Sequence, residues 1–316
     1  MQNLTMNHSR MEMWSATPTP FNDDLSVDRE SVCNLIKHHQ RLDVTGLMLG
    51  GTCGEGPWMT LDDLCELTDV ARTVADERMR LAVQVSDNSV RRVLDRIQKV
   101  CVSGAQIAVI SPPFLMMNAT PKRLLDFFRK IIQNSPIPVG VYDRGKAANY
   151  CLNDEMLEEM LTEPNLVLIK DSSSFQRDRA SMIARVRALK PDLRILCGDE
   201  FACIEPIQHG YDGLFLGGAI FNANIARALM IRVRAGDRDG AREIQLRMNE
   251  LMLRIYGGEK ITCWLSGLKY LLVQMGIFTT IQSHLEYPLT EECRGAIDEM
   301  VTGNDRSGYR DDLMIS

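Results

Sequence analysis

The sequence predicts an α/β fold, a (β/α)8 TIM barrel with a C-terminal helical extension. Short runs of strand-forming apolar residues recur about every 20 to 35 residues, and a segment with helical spacing of apolar residues fills each gap. Strands that are apolar on both faces, each followed by a helix, are what a parallel sheet covered by helices requires. Eight such units predict a closed barrel. A doubly wound open sheet is the alternative, but the dinucleotide fingerprint G-x-G-x-x-G is absent after the first strand.

The predicted strands lie in the N-terminal two thirds of the chain. They are Met13–Thr17, Gly46–Gly51, Leu81–Val85, Gln106–Ile110, Pro138–Tyr142, Leu166–Lys170, Arg194–Gly198 and Gly213–Gly218. Several of the intervening helices carry start signals. Thr60 with Asp63 resembles a capping box. Ser89 precedes an apolar helical face, and Thr120-Pro121 places a proline at the first helical position.

After Gly236 the pattern changes to helices only. Apolar residues recur at helical spacing in three segments, Asp239–Ile255, Cys263–Met275 and Thr290–Met300. No low-complexity linker separates these segments from the barrel, so we expect them to pack onto it. The predicted organisation is an N-terminal tail (1–12), the barrel (13–236), a C-terminal helical domain (237–302) and a polar tail (303–316).

The composition is that of an ordinary soluble globular protein. The 316 residues are 45% apolar and 25% charged, and the formal net charge is −6 with both signs interspersed. This charge balance argues against nucleic acid as a partner. No apolar run approaches the roughly 18 to 20 residues that span a bilayer, and the N-terminus has no signal-peptide stretch, so we expect a cytoplasmic protein without membrane association. Nine cysteines without a C-x-x-C pair predict neither a zinc site nor a disulfide framework.

Polar and glycine-rich stretches follow the predicted strands at their C-terminal ends. Strand two ends in "GGTCGEGPW", strand four in "SPPF", strand seven in "CGDE" and strand eight in "GGAIFN", while Tyr142 ends strand five and Lys170 ends strand six. Active sites of TIM barrels lie at this rim. Lys170 taken alone would only mark where a strand emerges into water. Beside Tyr142, Thr52 and Asp199 it becomes a candidate nucleophile.

A lysine at the mouth of an apolar barrel has a chemical use. Partial desolvation disfavours an ammonium, and the neutral amine attacks a ketone to form a Schiff base. The protonated imine accepts electrons when a carbon–carbon bond beside it breaks or forms. Tyr142 is the candidate for the accompanying proton transfer, although a tyrosine there can also merely pack. The sequence thus predicts Lys170 and Tyr142 as catalytic residues, with no metal and no cofactor other than the covalent lysine imine.

The stretch "GTCGEG" is a candidate anchor for a substrate carboxylate. Gly51 and Gly54 allow close approach of the backbone, and the N–H groups of Thr52 and Cys53 stand at the start of a βα loop. The Thr52 hydroxyl adds a further donor. A short glycine-rich turn can also be simply a loop, so its position opposite Lys170 is what makes it a candidate.

The motifs at the strand ends resemble those of a known family. They are, in chain order, "TPTPF", "GGTCGEGPWMT", "SPPF", "VYD", "LIKDSS", "CGDE" and "WLSGLKYLL". Together, from about Trp14 to Ile277, they are similar to the dihydrodipicolinate synthase and N-acetylneuraminate lyase family of class I pyruvate-dependent aldolases. The resemblance implies a barrel with C-terminal helices, a small-molecule 2-keto acid as partner, and a homo-oligomer, a dimer or a tetramer made of two tight dimers.

The resemblance also implies roles for individual residues. By similarity, Lys170 forms the Schiff base with pyruvate or a 2-keto acid, and Tyr142 transfers the proton. Thr52-Cys53 holds the carboxylate. The predicted substrate-binding set is Gly51, Thr52, Cys53, Ser172, Gly198, Asp199, Glu200 and Leu216.

Three positions depart from the synthases, which share G-T-T-G-E, a tyrosine pair after strand four and an arginine shortly after the strand-five tyrosine. This chain has Cys53, Phe114 and Ala147 there. A phenylalanine cannot relay a proton, and an alanine cannot pair with a carboxylate. These departures argue against the synthase reaction, although Arg144 or Lys146 can substitute for the arginine.

The motif "GDE" resembles the Asp-Glu pair with which sialic acid lyases bind a hydroxylated sugar tail. Asp199 and Glu200 can accept hydrogen bonds from several hydroxyls, or they can form a solvated acidic loop. We therefore expect a Schiff-base lyase, an aldolase or a dehydratase, that acts on pyruvate or a 2-keto-3-deoxy sugar acid. Two alternatives remain: condensation of pyruvate with aspartate semialdehyde by a dihydrodipicolinate synthase, and a non-catalytic keto-acid-binding protein.

Overall fold

The computed structural model describes residues 11–173, 178–303 and 308–313. Its centre is a closed barrel of parallel strands that follow one another in chain order, with the last strand paired to the first. The strands are β1 (Glu12–Ser15), β2 (Gly46–Leu49), β3 (Arg80–Gln84), β4 (Ile107–Ile110), β5 (Val139–Asp143), β6 (Leu166–Asp171), β7 (Arg194–Cys197) and β8 (Gly213–Leu216). The prediction of a (β/α)8 barrel is confirmed, and each predicted strand overlaps an observed one.

Helices connect the strands on the outside of the barrel. They are α1 (Arg29–Arg41), α2 (Leu61–Val74), α3 (Val90–Val102), α4 (Pro121–Asn134), α5 (Asp154–Met160), α6 (Arg179–Leu189), α7 (Ile204–Gln208) and α8 (Ala219–Arg234). The predicted start signals are present. Thr60 and Asp63 form a reciprocal capping box at the start of α2, and the hydroxyls of Ser89 and Thr120 accept N–H bonds in the first turns of α3 and α4. Each such cap stabilises its helix by about 1 kcal/mol.

The secondary structure of the C-terminal extension, as far as its residues are described, is helical. It comprises α9 (Arg238–Tyr256), α10 (Trp264–Gln274), α11 (Glu291–Thr302) and α12 (Tyr309–Asp312). The first three match the predicted segments. The fourth lies where the sequence predicts a polar tail: Tyr309 is buried, and its hydroxyl donates to Glu250 on α9. The predicted tail residues 1–10, 304–307 and 314–316 lie outside the described residues.

Two apolar layers form the core. One fills the space between the strands and the surrounding helices. The other fills the barrel interior and consists of Trp14, Ala16, Met48, Ala82, Ile107, Val109, Tyr142, Leu168, Leu196 and Phe215. A buried charge network closes the N-terminal end of the barrel, because Glu12 pairs with Arg80 and Arg194 and accepts the indole N–H of Trp14. The site therefore has to be sought at the C-terminal end, where the interior layer ends in Tyr142. No described helix combines the length and the apolar character that crossing a bilayer requires.

Candidate active site

Lys170 lies inside the barrel near its C-terminal end. Its register partners are Tyr142 on β5 and Leu196 on β7, and both belong to the interior layer. The side chain is only 5% exposed, and Nζ lies 4.4 Å from the ring centroid of Tyr142 and 5.0 Å from that of Phe215. In the described part of the chain Nζ makes neither an ion pair nor a hydrogen bond. Two aromatic faces can stabilise a cation there, including a protonated imine.

Tyr142 is the polar end of the interior layer. The side chain is 9% exposed, and its hydroxyl has no hydrogen-bond partner among the described residues. The adjacent pairing of β5 and β6 places it directly beside Lys170. A phenol in this position can reach the atoms of a molecule bound to the lysine, which is the geometric requirement for a proton donor or acceptor.

Gly198 makes room for the lysine. An ideal Cβ on Gly198 would overlap Ser172 Oγ and would lie 2.9 Å from Lys170 Cε. Ser172 Oγ is itself buried and has no hydrogen-bond partner among the described residues. The structure therefore brings Gly198, Ser172 and Lys170 together, as the sequence predicts, and only a glycine fits at the first of these positions.

The predicted carboxylate anchor is a compact turn between β2 and α2. Gly50 has a φ of +62°, and an ideal Cβ on Gly54 would lie 2.9 Å from the carbonyl oxygen of Thr17. The Gly54 carbonyl accepts a hydrogen bond of 2.7 Å from the hydroxyl of Thr19. The N–H groups of Thr52 and Cys53 donate to no acceptor in the described ranges. They are thus available to a ligand at the barrel mouth.

Glu55 fixes this turn to the C-terminal helices, a role that the sequence analysis missed. Its Oε1 lies 2.6 Å from Nζ of Lys269 on α10, and both side chains are fully buried. Its Oε2 accepts hydrogen bonds from the Ser283 hydroxyl (2.9 Å) and the His284 N–H (2.7 Å). Burial lowers the pKa of Lys269, and the adjacent Glu55 opposes that shift. Lys269 is engaged in this ion pair.

Asp199 and Glu200 have different environments. Asp199 accepts the N–H of Phe201 within its own loop. Glu200 turns inward, where it accepts the N–H of Gly218 (2.8 Å) and the hydroxyl of Tyr256 (3.3 Å). Burial raises the pKa of Glu200, while the Gly218 N–H bond and nearby Lys170 oppose that shift. The two acids therefore do not act as an equivalent pair. Glu200 is the acid close to Lys170, whose positive charge opposes the rise in pKa that burial causes.

Cys53 and Glu200 approach the same glycine. An ideal Cβ on Gly217 would lie 2.8 Å from Glu200 Oε1 and 3.9 Å from Cys53 Sγ. Burial raises the pKa of the Cys53 thiol, and the charge of Glu200 raises it further. Cys53 is thus a neutral thiol at neutral pH, and its hydrogen-bonding capacity is weak.

One predicted substrate-binding side chain points away from the mouth. Leu216 belongs to the outer core layer, whereas Phe215 faces the interior beside Lys170. Side chains alternate along a strand, so these neighbours must lie on opposite faces. The β8 side chain beside Lys170 is therefore that of Phe215, and the substrate-binding role of Leu216 stays a prediction. Gly51 borders the barrel interior, because an ideal Cβ there would lie 2.5 Å from Met48 Cε.

Comparison with known proteins agrees with this geometry. The model of the dihydrodipicolinate synthetase family matches residues 10–302. The chain belongs to this family. An N-acetylneuraminate lyase from Rhizobium meliloti is 29% identical over 76% of this chain and 78% of its own length. A 4-hydroxy-tetrahydrodipicolinate synthase from Exiguobacterium is 26% identical over 74% of this chain and 78% of its own length. The chain is accordingly a lyase of the class I aldolase type.

Solved structures of the dihydrodipicolinate synthase family share the fold. The enzyme of Bacteroides thetaiotaomicron superposes with a TM-score of 0.84 at 23% identity and covers 94% of this chain and 100% of its own. A prophage protein of the family from E. coli K12, solved in complex with pyruvate, gives a TM-score of 0.81 at 19% identity and covers 93% of this chain and 98% of its own. At these sequence identities, the structural similarity shows a shared fold.

Besides Cys53 in the β2–α2 turn, the positions that depart from the synthases of this family are Phe114 and Ala147, in the loops after β4 and β5. Phe114 is half-buried after β4, and its carbonyl accepts a hydrogen bond from Asn149. Ala147 ends the short 3-10 turn Gly145–Ala147 and is exposed. Arg144, just before that turn, is half-buried, and its guanidinium makes no ion pair or hydrogen bond with a described residue, whereas Lys146 is exposed.

Proposed function

We propose that this protein is a Schiff-base lyase that acts on a 2-keto-3-deoxy sugar acid or a similar hydroxylated 2-keto acid. The observation that carries the proposal is the amine of Lys170, buried between Tyr142 and Phe215 without a polar partner among the described residues. Such an amine attacks the C2 carbonyl of a keto acid, and water leaves as the imine forms. In aldol cleavage the imine accepts the electrons of the bond between C3 and C4 as the C4 hydroxyl loses its proton and becomes a carbonyl. In a dehydration the imine makes a C3 proton acidic, and the enamine formed by its loss expels the C4 hydroxyl as water.

Each neighbour of Lys170 has a place in this reaction. The N–H groups of Thr52 and Cys53 hold the C1 carboxylate, and Tyr142 moves the proton that carbinolamine dehydration and bond cleavage require. Ser172, whose buried hydroxyl has no hydrogen-bond partner among the described residues, hydrogen-bonds to the bound keto acid. The protein needs no cofactor other than this covalent imine. A cytoplasmic location and assembly into a dimer or tetramer stay predictions.

Glu200 supports a hydroxylated substrate. Its carboxyl group is held at the mouth by Gly218 and Tyr256, and each carboxyl oxygen can accept a further hydrogen bond from a substrate hydroxyl. A smaller substrate forgoes these further bonds, and a hydrogen bond to a charged group contributes roughly 1.5 to 3 kcal/mol. The kinship with an N-acetylneuraminate lyase points in the same direction.

The synthase reaction is the second candidate. The half-buried Arg144 favours it, because a guanidinium without an ion pair among the described residues can bind the carboxylate of aspartate semialdehyde. Against it, Phe114 removes a proton-relay hydroxyl from the neighbouring loop. The similarity to relatives named as synthases also supports this second candidate.

A substrate panel separates the two candidates. We expect pyruvate or a dehydration product to be released from hydroxylated 2-keto-3-deoxy acids, and we expect slow or undetectable condensation of pyruvate with aspartate semialdehyde. Arg144→Ala should leave the first reaction within a few fold of the parent. Efficient condensation that is lost in Arg144→Ala would contradict the proposal and establish the synthase instead.

A further inference from the structure

Gln84 is a polar side chain inside the barrel. It is the last residue of β3 and only 4% exposed. Its register partner on β4 is Val109, and two residues earlier on its own strand stands Ala82. Both belong to the interior layer. Since residues at register positions in a sheet, and residues two apart on a strand, share a face, the Gln84 side chain points into the barrel.

Gln84 lies at the level of the catalytic tyrosine. In TIM barrels, inward side chains from alternate strands form layers. The last inward positions on the odd-numbered strands are Ala16, Gln84, Tyr142 and Gly198. Ala16 and Gly198 are small, so the polar side chains of this layer are those of Tyr142 and Gln84. Lys170 lies beside this layer through its pairing with Tyr142.

The amide of Gln84 lacks a partner within the described chain. Its Oε1 is buried without a hydrogen bond, and it lies 3.6 Å from the position that a Cβ on Gly51 would occupy. Buried polar groups are nearly always hydrogen-bonded, so an unpaired one requires an explanation. The nearest functional element is the turn that begins at Gly51 and offers the N–H groups of Thr52 and Cys53 to a carboxylate.

We propose that Gln84 is a substrate-contacting residue whose amide binds the carboxylate end of the keto acid attached to Lys170. The inference rests on the proposed function and adds a side-chain donor to the two backbone N–H groups of the turn. A rotation of the amide by half a turn exchanges its oxygen and nitrogen, so an N–H can face the carboxylate. Gln84 thereby helps to select a molecule with an acid group next to its ketone.

The test measures how imine formation depends on pyruvate concentration. Unmodified protein, Gln84→Met and Gln84→Glu are incubated with increasing pyruvate, trapped with borohydride and analysed by mass. Met is close to Gln in length and shape, and thermal unfolding verifies that each variant is folded. We expect the half-saturating pyruvate concentration to rise about tenfold or more in Gln84→Met, the usual worth of a hydrogen bond to a charged group.

The Glu variant adds a second readout. In Gln84→Glu the new carboxylate repels the bound carboxylate, so the half-saturating pyruvate concentration at pH 8 should be higher still than in Gln84→Met. It should fall again toward pH 6, because a buried Glu is protonated there and can donate a hydrogen bond. Half-saturation equal to that of the unmodified protein in both variants would overturn the role of Gln84 while leaving the imine intact. Absence of trapping in the unmodified protein would overturn the proposed function itself, and this inference with it.

Discussion

Glu55 and Lys269 form a fully buried ion pair of 2.6 Å that joins the β2–α2 turn to helix α10 in the C-terminal extension. The pair is supported by further bonds on both sides: Ser283 and His284 donate to Glu55, and Lys269 donates to the carbonyl of Gln282. The C-terminal helices thus hold the turn that contains the proposed carboxylate-binding N–H groups. Glu55 keeps this contact with a positive φ of 58°, a conformation that is uncommon for a residue with a side chain.

Removing one partner of this pair should be costly. Lys269→Met leaves the Glu55 carboxylate buried without its cation, so we expect the free energy of unfolding to fall by about 3 to 5 kcal/mol. Denaturant unfolding measures this. The double variant Glu55→Gln with Lys269→Met removes both charges and should lose less than the sum of the single variants. If the loss in the double variant equalled the sum of the losses in Glu55→Gln and Lys269→Met, the two side chains would have no interaction energy.

Gly198 should be required for imine formation. In Gly198→Ala the added methyl meets Ser172 Oγ and Lys170 Cε, so the lysine side chain must move from the space between the two rings. We expect trapping by borohydride to fall at least tenfold, the effect of about 1.4 kcal/mol. Gly295→Ala on α11 is the matched control, because a Cβ there meets nothing within 4 Å. Equal trapping in both variants would contradict the packing described for Lys170.

The hydroxyl of Tyr142 should matter for turnover more than for folding. Tyr142→Phe keeps the ring that packs against Lys170 and removes only the hydroxyl that we propose as the proton-transferring group. We expect turnover to fall roughly 10²- to 10⁴-fold, the usual contribution of a general acid or base, while the imine still forms slowly. Steady-state kinetics on the preferred keto acid gives the answer. Turnover close to that of the unmodified protein would assign the proton transfer to another group or to water.

Glu200 should leave a signature in the pH dependence of stability. Because burial raises the pKa of Glu200 above its ordinary value of 4.5, the folded protein binds that proton more tightly than the unfolded chain does. The stabilisation from this group is fully present below pH 4.5 and is lost as the pH rises through the raised pKa. The free energy of unfolding of the parent minus that of Glu200→Gln should therefore grow as the pH falls from 7 to 5. A difference that stays constant over this range would refute the assignment.

The fold was predictable because its signals are local. Strands apolar on both faces and caps such as Thr60 with Asp63 can be recognised within a few residues. The helix Tyr309–Asp312 was not predicted, because its main signal is a single tyrosine whose burial depends on α9. A four-residue helix has too few turns to display a periodicity.

Only part of the candidate site was predictable. Lys170 and Tyr142 follow from the rule that barrel sites lie at strand ends. That Phe215 rather than its neighbour Leu216 points toward Lys170 could not be predicted, because successive residues on a strand point to opposite faces and a shift of one residue exchanges them. Glu55 was missed because its partner, Lys269, lies more than 200 residues away in the sequence. Gln84 lies within a correctly predicted strand, but its unpaired amide becomes evident only from the structure.

The central claim is that Lys170 forms a Schiff base with a 2-keto acid, and this covalent bond can be measured directly. The protein is incubated with pyruvate and borohydride, digested, and the modified peptide is sequenced by mass spectrometry, with Lys170→Ala and the exposed-lysine variant Lys146→Ala as controls. We predict one reduced pyruvyl adduct on Lys170, unchanged in Lys146→Ala and absent from a folded Lys170→Ala. An adduct on another lysine such as Lys269, or no adduct in the unmodified protein, would contradict the account.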